Sequence, residues 1–197
     1  MEKKSLQRER TKCYFIDAAK EIIKTKGLAQ ASARNVADLA GYSYATIYNY
    51  FSDLNDLLWY VTVDLIEEMS ENLRPYIVGA DPIGRLKLGY REYVRYYLDR
   101  PEVYHFLFHA QIGQPSAEVE PRLKTNRIGE QQDLVLRDCI TQGLISSADA
   151  PILAQLLVTV IHGLLSMHFT SYQQLSEAEL FQALDYHFDF ILQRLTK

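Results

Sequence analysis

"AGYSYATIYNYF", residues 40–51, holds four tyrosines and no charged side chain; the nearest basic residues are Arg34 before it and Arg74 after it. Gly41 permits a sharp turn, Ser43 has the chemistry of a helix N-cap, and Ile47 falls where a side chain must anchor in a core. Just upstream, "ARNVADLA" (33–40) reads as a short helix capped by Ser32, with Val36, Ala37, Leu39 and Ala40 turned inward. Helix, tight glycine turn, helix is the helix-turn-helix layout. Its second helix must be slim enough to enter a groove about 12 Å wide. Tyr44, Ala45, Thr46, Tyr48 and Asn49 share the exposed side and end of that second helix. Taken alone, the stretch is equally an ordinary helical corner with surface tyrosines.

Outward from this corner the periodicity stays helical. A first helix runs from about Ser5 to Lys26, with Ile16, Ala19, Ile22 and Ile23 on its inner face and Gly27 as its stop. A long helix follows the corner, from about Asn55 to Tyr76, and further helices are expected at Pro82–Leu98, Pro101–Ile112, Arg122–Gly143, Pro151–Tyr172 and Glu177–Leu195. "GQPSAEVEP" (113–121) is the clear loop. No Val/Ile/Thr alternation flanks an Asn-Gly or Asp-Gly turn, so the expected fold class is all-α.

The charge is uneven. Residues 1–52 carry nine Lys/Arg against five Asp/Glu, whereas the rest carries 12 against 20, within an overall net charge of −4. A basic head on an acidic body suits a chain of which only the head meets a polyanion; a solvated face accounts for the charges equally well. Cys13 and Cys139 stand far apart with no metal-ligand spacing and no secretory signal before them, which suits reduced thiols in the cytoplasm. Residues 150–176 lack Asp, Glu, Lys and Arg, but Gln155, His162, Ser166 and His168 interrupt them, and basic flanks are missing. They are read as a helix buried in protein, not one spanning a membrane.

Residues 16–58, "IDAAKEIIKTKGLAQASARNVADLAGYSYATIYNYFSDLNDLL", closely resemble the N-terminal domain of the TetR family of bacterial transcriptional regulators. The match rests on Ala18–Ala19, Gly27, Ser32, Val36–Ala37, Ala40–Gly41, Ser43, Thr46–Ile47–Tyr48, Tyr50–Phe51 and Leu57–Leu58, in register over 43 residues without a gap. The resemblance implies a helix-turn-helix DNA-binding domain over residues 1–52 and a ligand-binding and dimerisation domain over 53–197. It implies that Arg34 reaches a base edge or phosphate, and that Tyr44 and Ala45 face bases, Ala45 suiting a thymine methyl. Thr46, Tyr48, Asn49 and Tyr50 match positions that hold phosphates, and Ser32 and Ser43 combine capping with phosphate contact. In one departure, Leu54 stands where the family often has a Lys at the start of its fourth helix. The basic arm of Lys3, Lys4, Arg8, Arg10 and Lys12 is then either a substitute anchor along the minor groove or a frayed solvated terminus.

In the body, "GYREYVRYYLDRPEVYHFLFHAQ" (89–111) interleaves aromatic rings with His105 and His109. Such a stripe is either pocket wall for a largely apolar or aromatic effector or plain core. Trp59, Met69, Tyr93, Phe106 and His162 are the candidate ligand contacts; His162 and His168 are a polar point of that pocket, a metal site or, more commonly for such residues, satisfied core histidines. Residues about 150–195 resemble the family's homodimer seam, and Gly163 suits close helix approach. A homodimer reading two half-sites of a palindromic operator follows, because one short helix reads too little DNA. No nucleophile elbow, P-loop or HExxH is present, so no enzyme, cofactor or metal is expected. The leading expectation is a ligand-responsive transcriptional regulator in its repressor form. The second is an all-helical interaction protein that keeps the fold without specific DNA binding.

Overall fold

The computed structural model describes residues 2–79, 81–125, 127–172 and 174–195. They form ten α-helices, two short 3-10 turns and no β-strand. The side chains of Lys3 and Lys4 lie outside the described residues. Two compact units are present, one from described residues of Met1–Glu68 and Arg100–Asn126, the other from those of Met69–Asp99 and Arg127–Lys197.

The first unit holds α1 (Glu2–Lys26), α2 (Ala33–Ala40), α3 (Tyr44–Ile47), most of α4 (Leu54–Leu73), α6 (Pro101–His109) and α7 (Glu120–Lys124). Phe15, Ala19, Ile22 and Ile23 repeat at helical spacing along α1 and are buried with Val36, Ala37, Ile47, Phe51, Leu57 and Val61. Each fully buried large side chain in this set contributes about 1.5–3 kcal/mol. Gly27 ends α1 with φ 78°, its amide donating to the Ile23 carbonyl. A Cβ there would also meet the Glu102 carboxylate at 2.6 Å. α1 starts earlier than its sequence suggests, so the basic arm is its first turns and not a tail.

α2 is capped as expected at Ser32, whose Oγ accepts the Asn35 amide at 3.2 Å. Gly41 ends it with φ 77°; the Tyr42 amide donates back to the Ala37 carbonyl at 2.9 Å, closing a Schellman turn. Leu39 differs from expectation: it is 55% exposed. The buried arc of α2 is Ala33, Val36 and Ala37, and Leu39 lies roughly 110° around the helix from it. α4 begins behind Asp53, whose Oδ1 accepts the Asp56 amide at 2.8 Å, while Asp56 accepts the Ser52 amide at 3.1 Å. Lys20 pairs with Asp64, and Lys24 with Glu68 at 2.5 Å, tying α1 to α4. Half-exposed pairs of this kind contribute about 0.2–1 kcal/mol each.

The second unit holds the end of α4, then α5 (Pro82–Leu98), α8 (Arg127–Thr141), α9 (Ala150–Phe169) and α10 (Glu177–Leu195). The residues expected to form one helix from Arg122 are divided between α7 and α8. α9 and α10 pair along Leu153, Leu157, Ile161 and Leu165 against Leu180, Leu184, Phe188 and Leu192, all buried. A reciprocal cap starts α10: the Glu179 carboxylate accepts the Ser176 amide at 2.8 Å and Ser176 Oγ accepts the Glu179 amide at 3.3 Å. Lys87, Arg91 and Arg95, one turn apart on α5, pair with Asp189, Asp185 and Glu177 on α10. α9 alone among the described residues is long and apolar enough to cross a membrane, with a mean hydropathy of 1.8, and 33% of that window is buried. It is therefore not wholly enclosed by its own chain: Ile152, Leu156, Val158 and Met167 are exposed on it, as are Tyr186 and Phe190 on α10.

Candidate nucleic-acid interface

α3 has one helical turn and continues as hydrogen-bonded turn through Tyr50, the Asn49 amide donating to Thr46 and the Tyr50 and Phe51 amides to Ile47. Ile47 and Phe51, both buried, pin this element from behind. Tyr44, Ala45, Tyr48 and Asn49 are exposed in front, while Thr46 and Tyr50 are half-buried. The structure thus gathers six of the nine expected DNA contacts on one element, with Ser43 at its head and Ser32 and Arg34 exposed on α2.

Local chemistry refines several roles. Ser43 has the extended backbone of an N-cap, but its hydroxyl does not cap; it lies 2.7 Å from the Thr46 hydroxyl. The Tyr44 and Tyr48 hydroxyls are 2.9 Å apart, with the rings edge to face at 5.3 Å. That bond to Tyr44 holds the Tyr48 phenol above its ordinary range, so it stays a hydrogen-bond donor. Tyr50 turns back onto Phe15 at 5.7 Å and offers its ring to the Arg8 guanidinium at 5.0 Å. Residues 32–51 include no Lys or Arg beyond Arg34, and the N-terminus of α4 that follows them carries Asp53 and Asp56 around Leu54.

The basic arm divides in two. Lys12, with 13% of its side chain exposed, sits 3.8 Å over the Tyr60 ring and 3.1 Å from Glu118. Burial works against its charge, but Tyr60 and Glu118 outweigh it and raise the Lys12 ammonium above its ordinary value. Lys12 is therefore held inside the first unit and is not a free anchor. Arg8 is exposed, yet its Nη2 donates to the Asn49 carbonyl at 2.8 Å. Sequence reading missed both contacts, although Arg8, Lys12 and Phe15 recur at i, i+4 and i+7 on one face of α1.

The ligand candidates fall in both units. Trp59 and Phe106 belong to the first unit, the Trp59 indole N–H donating to the Gly113 carbonyl at 2.7 Å and Phe106 being buried. Met69, Tyr93 and His162 belong to the second, where the Tyr93 hydroxyl lies 3.2 Å from His162 Nε2 and Met69 is buried. Burial pushes the His162 imidazole below its ordinary value. His168 behaves as a satisfied structural histidine, its Nδ1 2.8 Å from the Leu175 carbonyl. A polar cavity of about 280 Å³ in the first unit is lined by Lys12, Cys13, Tyr60, Glu118 and Arg122. One of about 390 Å³ in the second is lined by Ile77, Val78, Arg85, Leu134 and Asp138. None of the five candidates lines either cavity.

Comparison with known proteins places this geometry. Residues 15–61 match the family model of the bacterial regulatory proteins, tetR family, and residues 86–193 match that of the tetracyclin repressor-like C-terminal domain. No protein of curated function matches the sequence. Among solved structures, a TetR family transcription regulator from Marinobacter aquaeolei VT8 is similar over 97% of this chain and 98% of its own, with 20% identity and a TM-score of 0.65. RolR, solved with its ligand resorcinol, covers 97% and 90% with 17% identity and a TM-score of 0.71. FadR from Bacillus subtilis, solved with stearoyl-CoA, covers 91% and 97% with 18% identity and a TM-score of 0.69. With both domain models matched, the second over more than half of this chain, the chain belongs to the TetR family of bacterial transcriptional regulators.

Proposed function

We propose that this regulator is a cytoplasmic homodimeric repressor that binds a palindromic operator and is released by a small-molecule effector. The observation that carries the DNA-reading role is the element 44–50, with Tyr44, Ala45, Tyr48 and Asn49 exposed in front and Ile47 and Phe51 buried behind. Hydroxyls, an amide side chain and the N-terminus of α2 supply phosphate donors without a formal charge. Arg34 supplies a guanidinium able to grip guanine with two hydrogen bonds. In this reading Ser32, Ser43, Thr46, Tyr48, Asn49 and Tyr50 hold phosphates, and Arg34, Tyr44 and Ala45 read bases.

The apolar surface left open on α9 and α10, with Ile152, Leu156, Met167, Tyr186 and Phe190, supports a second copy as its cover. Two-fold pairing then supplies the second half-site. RolR with resorcinol and FadR with stearoyl-CoA support a small, largely apolar or aromatic effector here. Trp59, Met69, Tyr93, Phe106 and His162 remain its candidate contacts, Tyr93 and His162 as a joined polar point. Effector and operator must change each other's affinity by the same factor.

The function as an interaction protein without an operator draws on the uncharged reading element and on Leu54, which stands between Asp53 and Asp56 where the family often has a Lys. Selection of duplexes from random sequence, followed by footprinting, separates the two readings. A palindromic consensus bound by one dimer supports the repressor; no enrichment over generic duplex overturns it.

A further inference from the structure

We propose that Arg8 is a positioning residue for DNA reading, clamping the carbonyl end of the reading element from α1. The inference rests on the assignment of residues 44–50 as that element. α3 has a single helical turn, far too short to persist by itself. The Thr46 and Ile47 carbonyls are taken by the amides of Asn49, Tyr50 and Phe51, and beyond them the chain leaves the helix, so a later carbonyl needs a donor from elsewhere. Arg8 supplies one: its Nη2 donates to the Asn49 carbonyl at 2.8 Å, and its guanidinium lies 5.0 Å from the centroid of the Tyr50 ring. Phe15, two turns along the same face of α1, also packs against Tyr50, with ring centroids 5.7 Å apart. Lys12, between them, points its ammonium at the Phe51 ring at 5.7 Å.

Asn49, Tyr50 and Phe51 are thus each met by a side chain of α1. A cation at the carbonyl end of a turn also complements its dipole. The planar fork suits the role where a lysine does not, since it donates and stacks together. The Arg8 guanidinium serves a carbonyl 41 residues away. Its effect on DNA is therefore exerted through the placement of Tyr48, Asn49 and Tyr50.

The test compares the full-length protein with Arg8→Ala and Arg8→Lys, using duplexes that the wild type enriches from random sequence. Both variants should bind these duplexes roughly three- to tenfold more weakly. The slope of log affinity against log salt should match the wild type, because no phosphate contact is given up. In the free proteins, amide exchange at Asn49, Tyr50 and Phe51 should quicken in both variants. The clamp is overturned if Arg8→Lys binds like the wild type while Arg8→Ala shows a slope shallower by about 0.9 and unchanged exchange. If the wild type enriches no duplex, the reading-element assignment fails, and the exchange comparison alone still decides whether Arg8 holds residues 49–51.

Discussion

The Tyr44 and Tyr48 hydroxyls lie 2.9 Å apart on the exposed face of the reading element, one turn apart and edge to face. Sequence reasoning gave them separate tasks, Tyr44 reading a base and Tyr48 holding a phosphate. Joined, each orients the other, so their contributions couple. Tyr48→Phe should weaken binding to every duplex, whereas Tyr44→Ala should change which duplex is preferred. The double variant Tyr44→Phe/Tyr48→Phe should cost less than the sum of the single ones, by about 0.5–1.5 kcal/mol. Titrations against a panel of duplexes measure this; strict additivity would mean that the two hydroxyls act independently.

Leu54 opens α4 between Asp53 and Asp56, whose carboxylates are occupied by backbone amides. Restoring a cation there gives the phosphate backbone a partner that the native chain lacks. Leu54→Lys should tighten binding several-fold and steepen the salt slope by about 0.9. A slope equal to that of the wild type would place this position away from the DNA.

Leu156 on α9 and Phe190 on α10 are exposed in the single chain. If a second copy covers them, Leu156→Glu must bury a charge there and shift the protein to monomer in sedimentation velocity. Operator affinity should fall at least about 100-fold, since half of the paired readout is lost. The melting of the monomer itself should change little, because the substituted side chain leaves the core untouched. A variant that sediments as the wild type excludes this face from the interface.

His162 gives the folded chain a pH dependence of known sign. Burial lowers its pKa below the ordinary 6.5, so the unfolded chain takes up a proton that the folded site resists. Above about pH 6.5 the group is neutral in both states and has no effect. Below it, stability falls until the folded pKa is passed. Protonation also makes both ring nitrogens donors, so Nε2, 3.2 Å from the Tyr93 hydroxyl, can then only donate to it. Thermal melts between about pH 5 and 8 should therefore decline more steeply on the acid side for the wild type than for His162→Gln. Parallel profiles would assign the acid loss to other groups.

Short-range chemistry made much of this protein legible in its residues. Ser32 capping Asn35, Gly27 and Gly41 at positive φ, and the spacing of Ala19 and Ile22–Ile23 each act over eight residues or fewer, whereas the first inward position of α1 is Phe15 and not the expected Ile16, which is half-buried. These signals define the helices and the turn, and their register identifies the family. Tertiary packing decided what lies beyond that reach. It left Leu39 outside the buried arc of α2, committed Lys12 to Glu118 across 106 residues, and brought Arg8 to Asn49 across 41. The five ligand candidates fall in both units, and for Tyr93 and Phe106 the aromatic stripe records burial and not what is buried against it. Hydrogen bonds within a turn need only the local chain, so sequence specifies them. Which cation meets which carbonyl or carboxylate is set by how helices pack, and that depends on the whole core at once.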